Sequence, residues 1–190
     1  MEVQQIEEKL KTALKPSRYR HTLGVAYTAS CMAMVFGVDV HKAYRAGLLH
    51  DCAKCLTNEK RIFLCKKHNI QMNEAELKNP QLLHAKVGSF LAMEEFDIHD
   101  QDIINAILNH TTGRPDMSLL EKIIYIADYM EPGRKQAPNL SAIRKAAFED
   151  LDKALLMILE DTLSYLHSTG SVVDTMTQKT YDFYKNGGNV

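Results

Sequence analysis

The stretch AGLLHDCAK (residues 46–54) places a His–Asp pair in a segment otherwise rich in small and aliphatic residues. Neighbours on one face of a helix are three or four residues apart, so His50 shares a face with Ala46 and Gly47, and Asp51 also follows Gly47. Both polar side chains therefore lie on the face that should turn inward. The small residues on that face would let another helix approach closely. We expect a buried helical segment whose polar side chains take part in the function of the protein.

The same three- and four-residue recurrence of apolar residues continues along nearly the whole chain and predicts helices, with no convincing strand. We predict an all-α fold in which a single compact helical domain spans residues 1–190 and the last two helices pack on a core. The final residues, GGNV, are expected to fray. Expected N-caps are Ser17, Asp39, Thr57 and Ser118. The predicted helices are 3–13, 17–36, 39–54, 58–68, 81–95, 100–110, 118–130, 140–148, 151–167 and 175–185.

Composition excludes several classes of function. The chain has 190 residues, 45% of them hydrophobic, and a formal net charge of −1, so nothing global favours nucleic acid or a membrane surface. No apolar run approaches the ~18 residues that a membrane span needs. The acidic, amphipathic N-terminus does not resemble a secretion signal, and four cysteines are ordinary for a reducing compartment. We expect a cytoplasmic protein without nucleic-acid or membrane partners.

Six titratable residues on five predicted helices lie on apolar stripes. An unpaired buried carboxylate is very unfavourable, and a buried neutral imidazole still needs hydrogen bonds. One such residue is commonly an ordinary core histidine, but six together predict a metal site that collects them. The four other histidines, at helix ends or in polar stretches, are expected on the surface: His41, His68, His99 and His167. The six inward residues are His21, His50, Asp51, His84, His110 and Asp128.

This set of ligands indicates the kind of metal and the reaction. Imidazole and carboxylate suit iron, manganese or zinc better than calcium, and the lack of thiolates argues against a closed structural zinc site. Six ligands fit two ions about 3.5–4 Å apart, with Asp51 as the bridge. Such a pair activates water to hydrolyse phosphate esters or anhydrides. Lys54 and Arg134 could bind phosphate, and the alternative for each is a solvated surface charge. The expected groups are His21, His50, Asp51 and Asp128 for one ion, and Asp51, His84 and His110 for the other.

A second motif, the C-x-x-C of Cys52 and Cys55, could be redox-active or half of a zinc site. No second pair accompanies it, and no strand precedes it. We therefore interpret both cysteines as small buried apolar residues that take no part in redox chemistry or zinc binding.

The order H…HD…H…H…D resembles the HD-domain phosphohydrolases, and several longer stretches resemble one branch, the bacterial symmetrical bis(5′-nucleosyl)-tetraphosphatases. These stretches are SRYRHTLGV (17–25), AGLLHDCAK (46–54), LLHAKVG (82–88) and NHTTGRPDMSLLEKIIYIADYMEPGR (109–134). The resemblance covers roughly residues 17–168, with the motifs in a core of about 17–134. It departs at the two cysteines of CAKC, where small aliphatic residues are expected.

The resemblance implies an HD-domain helical bundle, iron or a similar divalent metal, and hydrolysis of diadenosine tetraphosphate to two ADP. His21, His50, Asp51 and Asp128 match the family's metal ligands, and His84 and His110 match its further histidines. Phosphate or nucleotide contacts are expected from Arg18, Lys54, Thr111 and Arg134. The candidates for groups acting directly in the reaction are Asp51, Lys54, His84 and His110.

Several alternatives stay open. A cyclic-nucleotide or cyclic-dinucleotide phosphodiesterase is one, although the Gly-Tyr-Pro signature of the cyclic-dinucleotide branch does not occur in this sequence. A nucleotide phosphatase and a non-catalytic, metal-bound nucleotide sensor are two more. His84 and His110 could hold substrate phosphate instead of a second ion. Apolar residues in SLLEKIIYIADYM (118–130) look exposed enough to permit a homodimer.

Overall fold

The computed structural model describes residues 1–188, and within them the chain forms eleven α-helices and no strand, which confirms the all-α prediction. A short 3-10 turn, Pro80–Leu83, leads directly into α6. No helix in this part of the chain combines the length and the apolar character needed to cross a membrane. The last two residues of the predicted tail lie outside the described range. The helices are α1 (Val3–Ala13), α2 (Pro16–Phe36), α3 (Val40–Leu49), α4 (Asn58–Lys67), α5 (Glu74–Lys78), α6 (His84–Phe96), α7 (Gln101–Asn109), α8 (Leu119–Met130), α9 (Leu140–Ala146), α10 (Leu151–Ser168) and α11 (Thr175–Lys185).

Helix α8 lies at the centre of the domain and packs against α2, α3, α7, α9 and α10. Ile123, Ile124 and Ile126 are fully buried. A helix that is apolar nearly all round belongs in a core rather than on a surface. The expectation that the apolar residues of 118–130 are exposed was therefore wrong, because most of these side chains are buried in the core, with Leu119 left exposed.

The His–Asp pair lies just beyond α3 rather than inside a helix that runs to residue 54. Helix α3 ends at Leu49, and tight turns follow in which the amides of Cys52 and Lys54 donate to the carbonyls of Leu49 and Asp51, three residues earlier. His110 likewise follows the last residue of α7, and His84 is the first residue of α6. Helix ends thus deliver most of the candidate ligands to one region.

Local capping signals were largely reliable. Asp39, Thr57 and Ser118 accept backbone hydrogen bonds at the starts of α3, α4 and α8, as predicted. Ser17 was a wrong prediction, because Pro16 takes the first helical position, where its missing N–H costs nothing. The short helix α5 was missed, although its capping box, in which Asn73 and Glu76 bond each other's backbone, is visible in the sequence.

Helices α2 and α3 approach closely at Gly47. A Cβ atom on Gly47 would lie 2.6 Å from the Cα atom of Ala26 and 3.0 Å from its backbone nitrogen. Backbone atoms cannot rotate away as a flexible side chain can. The absence of a side chain at Gly47 therefore sets the spacing that brings the end of α3 against α2.

Gly47→Ala is expected to lower the free energy of unfolding by about 2 kcal/mol. Overpacking the α2–α3 contact destabilises the fold by more than the higher helix propensity of alanine stabilises it. Urea unfolding followed by circular dichroism measures the change. Gly88→Ala is the matched control, since a Cβ atom there would meet its nearest neighbour, the Cys52 sulfur, at an ordinary 3.5 Å. Equal stability of the two variants would contradict this account of the α2–α3 contact.

Candidate metal centre

All six predicted ligands meet in one cluster. His21 comes from the N-terminal part of α2, His50 and Asp51 from the turn after α3, and Asp128 from the last turn of α8, while His84 and His110 lie at the start of α6 and the end of α7. His50, Asp51, His84 and His110 are at most 3% exposed. The four other histidines lie on the surface, as predicted. Three overlapping groups have ligand atoms within 4.8 Å of one another: His21–His50–Asp51, His50–His110–Asp128 and Asp51–His84–His110.

Three of the imidazoles are oriented by the same local device. In each, Nδ1 lies close to the backbone carbonyl oxygen three residues earlier, at 2.7 Å for His50, 2.5 Å for His84 and 2.7 Å for His110. A carbonyl oxygen can only accept, so Nδ1 must donate. In the neutral ring the lone pair then sits on Nε2, which faces the cluster. Metal-binding histidines are commonly oriented in this way.

His21 is oriented by a side chain instead. Its Nδ1 lies 3.0 Å from Oε1 of Glu131, a residue that the sequence analysis did not single out. Its Nε2 lies 3.0 Å from Oδ1 of Asp128, yet within residues 1–188 that nitrogen has no hydrogen-bond partner of acceptable geometry. The two atoms are therefore close enough to bind one ion, although no hydrogen bond joins them.

Within residues 1–188, buried ligand atoms without hydrogen-bond partners occur in both expected ligand sets, with Oδ1 of Asp51 on the side of His84 and His110. Among the described residues, Nε2 of His21, Nε2 of His50 and Oδ1 of Asp51 are buried without a hydrogen bond. Nε2 of His50 lies 3.5 Å from Oδ2 of Asp51 and 3.8 Å from Oδ1 of Asp128. Leaving such groups unsatisfied is costly, and cations bound in the cluster would satisfy them. The side chains present thus fit a metal ion.

The second expected ligand set, Asp51, His84 and His110, brings hydrogen-bond acceptors together, and the Lys54 side chain lies beside it. Oδ1 of Asp51 lies 3.3 Å from Nε2 of His84 and 3.6 Å from Nε2 of His110, and the two nitrogens are 3.1 Å apart. Two lone pairs cannot bond each other, so a donor or a cation is needed between them. The Lys54 ammonium lies 3.0 Å from Nε2 of His84, and the Thr111 hydroxyl lies within 3.3 Å of both nitrogens.

The ionised state of these carboxylates favours cation binding. Burial raises the pKa of Asp51, but charge on His50 and contacts with His110, His50 and His84 outweigh it and hold that pKa well below its usual value. The pKa of Asp128 is lowered in the same way, with burial opposed chiefly by the contact with His21. Burial lowers the pKa of His84 to about 4 and also lowers the pKa of Lys54. Both carboxylates are therefore ionised and the His84 ring is neutral near pH 7.

Two arginines border the cluster at different carboxylates. Nη1 of Arg18 donates to Oδ2 of Asp51 at 2.7 Å, and Nη2 of Arg134 donates to Oδ1 of Asp128 at 2.8 Å. Arg18 and Lys54 line a cavity of about 530 Å³, whereas Arg134 lines another of about 640 Å³ beside Tyr129. Positive charge is thus available on two sides of the centre.

The cysteine pair takes no part in this arrangement. All four cysteines, which lie within the described range, are free thiols. Burial raises the pKa of Cys52 to about 12, so its thiolate is not populated near neutral pH. Cys55 is half-buried, and its sulfur accepts from the Lys15 amide at 3.5 Å.

Comparison with known proteins places this geometry in a family. Residues 18–133 match the HD domain family. The chain is 39% identical to a symmetrical bis(5′-nucleosyl)-tetraphosphatase of Bacillus subtilis, with 94% of this chain and 95% of that protein covered. It is 40% identical to the enzyme of the same name in Halalkalibacterium halodurans, with 91% of each covered. The chain belongs to the HD-domain family of symmetrical bis(5′-nucleosyl)-tetraphosphatases.

A solved structure supports the fold of this HD-domain chain at high similarity. The crystal structure of a predicted HD superfamily hydrolase involved in NAD metabolism, from Clostridium acetobutylicum, superposes with a TM-score of 0.95. The two chains are 42% identical, and 98% of each is covered. The HD-domain helical architecture predicted from the sequence is therefore confirmed.

Proposed function

We propose that this protein is a metal-dependent hydrolase that cleaves diadenosine tetraphosphate symmetrically into two ADP. The observation that carries the proposal is the cluster itself. Four inward-facing imidazoles lie against two ionised carboxylates, and each carboxylate also accepts a hydrogen bond from an arginine side chain. Relatives that cover nearly the whole chain carry the name of this activity. We also propose that residues 1–190 act as a single domain whose reaction centre lies between residues 17 and 134.

His21, His50, Asp51 and Asp128 are the proposed ligands of one ion, and Asp51, His84 and His110 those of a second position. Unpartnered nitrogens of His21 and His50 support the first set, judged within residues 1–188. Nitrogen and oxygen ligands without thiolate support iron, with manganese or zinc as alternatives. When bound, such an ion supplies positive charge that lowers the pKa of an adjacent water from ~15.7 toward ~7 and offsets the charge of phosphoryl oxygens.

The chain's own residues have distinct proposed roles around the phosphate bridge. Asp51 joins the two ligand sets and holds Arg18, and His84 and His110 present lone pairs on one side of it. The Lys54 ammonium, 3.0 Å from His84, is placed to bind a phosphoryl oxygen. We propose Arg18, Thr111 and Arg134 as further phosphate or nucleotide contacts. Arg134 supports this role because 41% of its side chain is exposed while one of its nitrogens bonds Asp128.

The proposed reaction is in-line attack by water on one of the two central phosphorus atoms. One central P–O bond breaks as the water oxygen bonds to phosphorus, and one ADP departs while the other takes up the water oxygen. ADP is a good leaving group, so strong help from a separate general acid is unnecessary. We further propose that the protein acts on free nucleotides in the cytoplasm rather than on nucleic acid, and that homodimer formation is compatible with this role.

Product analysis tests the proposal. Metal-loaded protein incubated with diadenosine tetraphosphate in ¹⁸O-water is expected to give ADP alone on chromatography, with one ¹⁸O atom in half of the ADP. ATP plus AMP would refute symmetrical cleavage. Faster turnover of a cyclic nucleotide or a nucleoside monophosphate in parallel assays would favour the phosphodiesterase or phosphatase alternative. Tight binding without turnover by the metal-loaded protein would favour a sensor.

A further inference from the structure

We propose that Glu131 is a positioning residue: its carboxylate fixes the tautomer and ring orientation of His21 and so tightens metal binding by the centre. The inference rests on the proposed function insofar as it assumes that His21 binds a metal. It begins from a difference among the histidines. His50, His84 and His110 are held by backbone carbonyls three residues earlier in the chain, whereas His21 is held by a carboxylate 110 residues away in sequence.

The position of Glu131 is strongly determined. It directly follows α8, three residues after Asp128, so one helix end delivers a carboxylate to each nitrogen of His21. The Arg144 guanidinium donates to the backbone carbonyls of both Met130 and Glu131, which holds that end in place. Glu131 is 4% exposed. A carboxylate buried this deeply must be paired, and His21 and the backbone N–H of Gly133 supply the partners.

Two glycines make room for this carboxylate. A Cβ atom on Gly24 would lie 2.6 Å from Oε2 of Glu131, and one on Gly133 would lie 2.9 Å from both carboxylate oxygens. Gly24 lies inside α2, where alanine would otherwise be the better helix former. The chain therefore forgoes helix propensity at a position where a side chain would displace Glu131 from His21.

The contact with Glu131 determines which nitrogen of His21 carries the proton. Because an ionised carboxylate can only accept, Nδ1 of His21 must be the protonated nitrogen, and Nε2 is left free for a metal. A hydrogen bond to an ionised acceptor is roughly twice as strong as one between neutral groups. Loss of such a partner typically weakens metal binding by about 10–100-fold.

Glu131→Gln and Gly24→Ala test the inference in the full-length protein. The glutamine has the same shape, but its NH₂ group must face either Nδ1–H of His21 or the N–H of Gly133, so one contact is lost. Alanine at position 24 removes no ligand and no charge, but its Cβ atom would lie 2.6 Å from Oε2 of Glu131 and is expected to displace the carboxylate. Each variant is expected to bind Zn²⁺ alone about 10–100-fold more weakly, measured by competition with a chromophoric chelator.

Glu121→Gln is the matched control, because Glu121 is likewise a buried carboxylate but lies at the N-terminal end of α8, where it pairs with Arg114 and Asn109. It is expected to lower the melting temperature without changing the Zn²⁺ dissociation constant. ¹⁵N NMR of the metal-free wild-type protein should show His21 protonated at Nδ1. Wild-type Zn²⁺ affinity in both test variants, equal weakening in the control, or a wild-type His21 protonated at Nε2 instead would overturn the inference. None of these readouts uses a nucleotide, so a failed hydrolysis assay would be a separate result.

Discussion

Replacing Asp51 with alanine is expected to abolish hydrolysis of diadenosine tetraphosphate, with turnover falling by at least about 1,000-fold. The loss should exceed that of an outer partner such as Glu131, because Asp51 is the residue shared by both proposed ligand sets. Its Oδ1 faces His84 and His110, while its Oδ2 bonds Arg18. Chromatographic rates for the metal-loaded variant, together with its metal content, measure the effect.

Two further variants separate chemistry from folding. Asp51→Asn keeps the volume of the buried side chain and should lose turnover to a similar degree while retaining the native circular dichroism spectrum. Asp39→Ala changes an aspartate at the opposite end of α3, where it caps the helix, and should reduce stability while turnover persists. Undiminished turnover in Asp51→Ala would remove the assignment of the centre altogether.

Removing the metal is expected to have a comparably large effect. Dialysis against a chelator should eliminate turnover and lower the melting temperature, because an ion that binds the folded state alone stabilises it by about 2.7 kcal/mol at a concentration of 100 times its dissociation constant. The cluster justifies this expectation, since three buried ligand atoms have no other partner within residues 1–188. Elemental analysis, calorimetry and the product assay on the same samples provide the measurement.

Adding single ions back to the metal-free protein shows which metal the site prefers. Iron, manganese or zinc should restore turnover, whereas calcium should not, because calcium prefers an all-oxygen shell of six to eight ligands. The ion that restores both turnover and melting temperature at the lowest concentration identifies the preferred metal. Full turnover by protein shown to be metal-free would refute a metal-dependent reaction.

Periodicity predicted a great deal of the fold because it depends on local physics. Each helix has a face defined by its own sequence, so the positions of His21, His84 and Asp128 on inward faces could be inferred without knowing the neighbouring helices. Capping residues marked several helix starts for the same reason. The prediction was wrong about the exposure of 118–130, since the number of helices surrounding α8 is a tertiary property.

The sequence by itself determined which side chains turn inward and what chemistry they share, because helical spacing and residue type are local. The tertiary structure alone decided how their atoms meet. Asp128 and Glu131 reach the two nitrogens of His21 from the far end of α8, and His84 and His110 meet at Asp51. These features depend on side-chain torsions and on contacts between segments as many as 110 residues apart, which no pattern of three and four can encode.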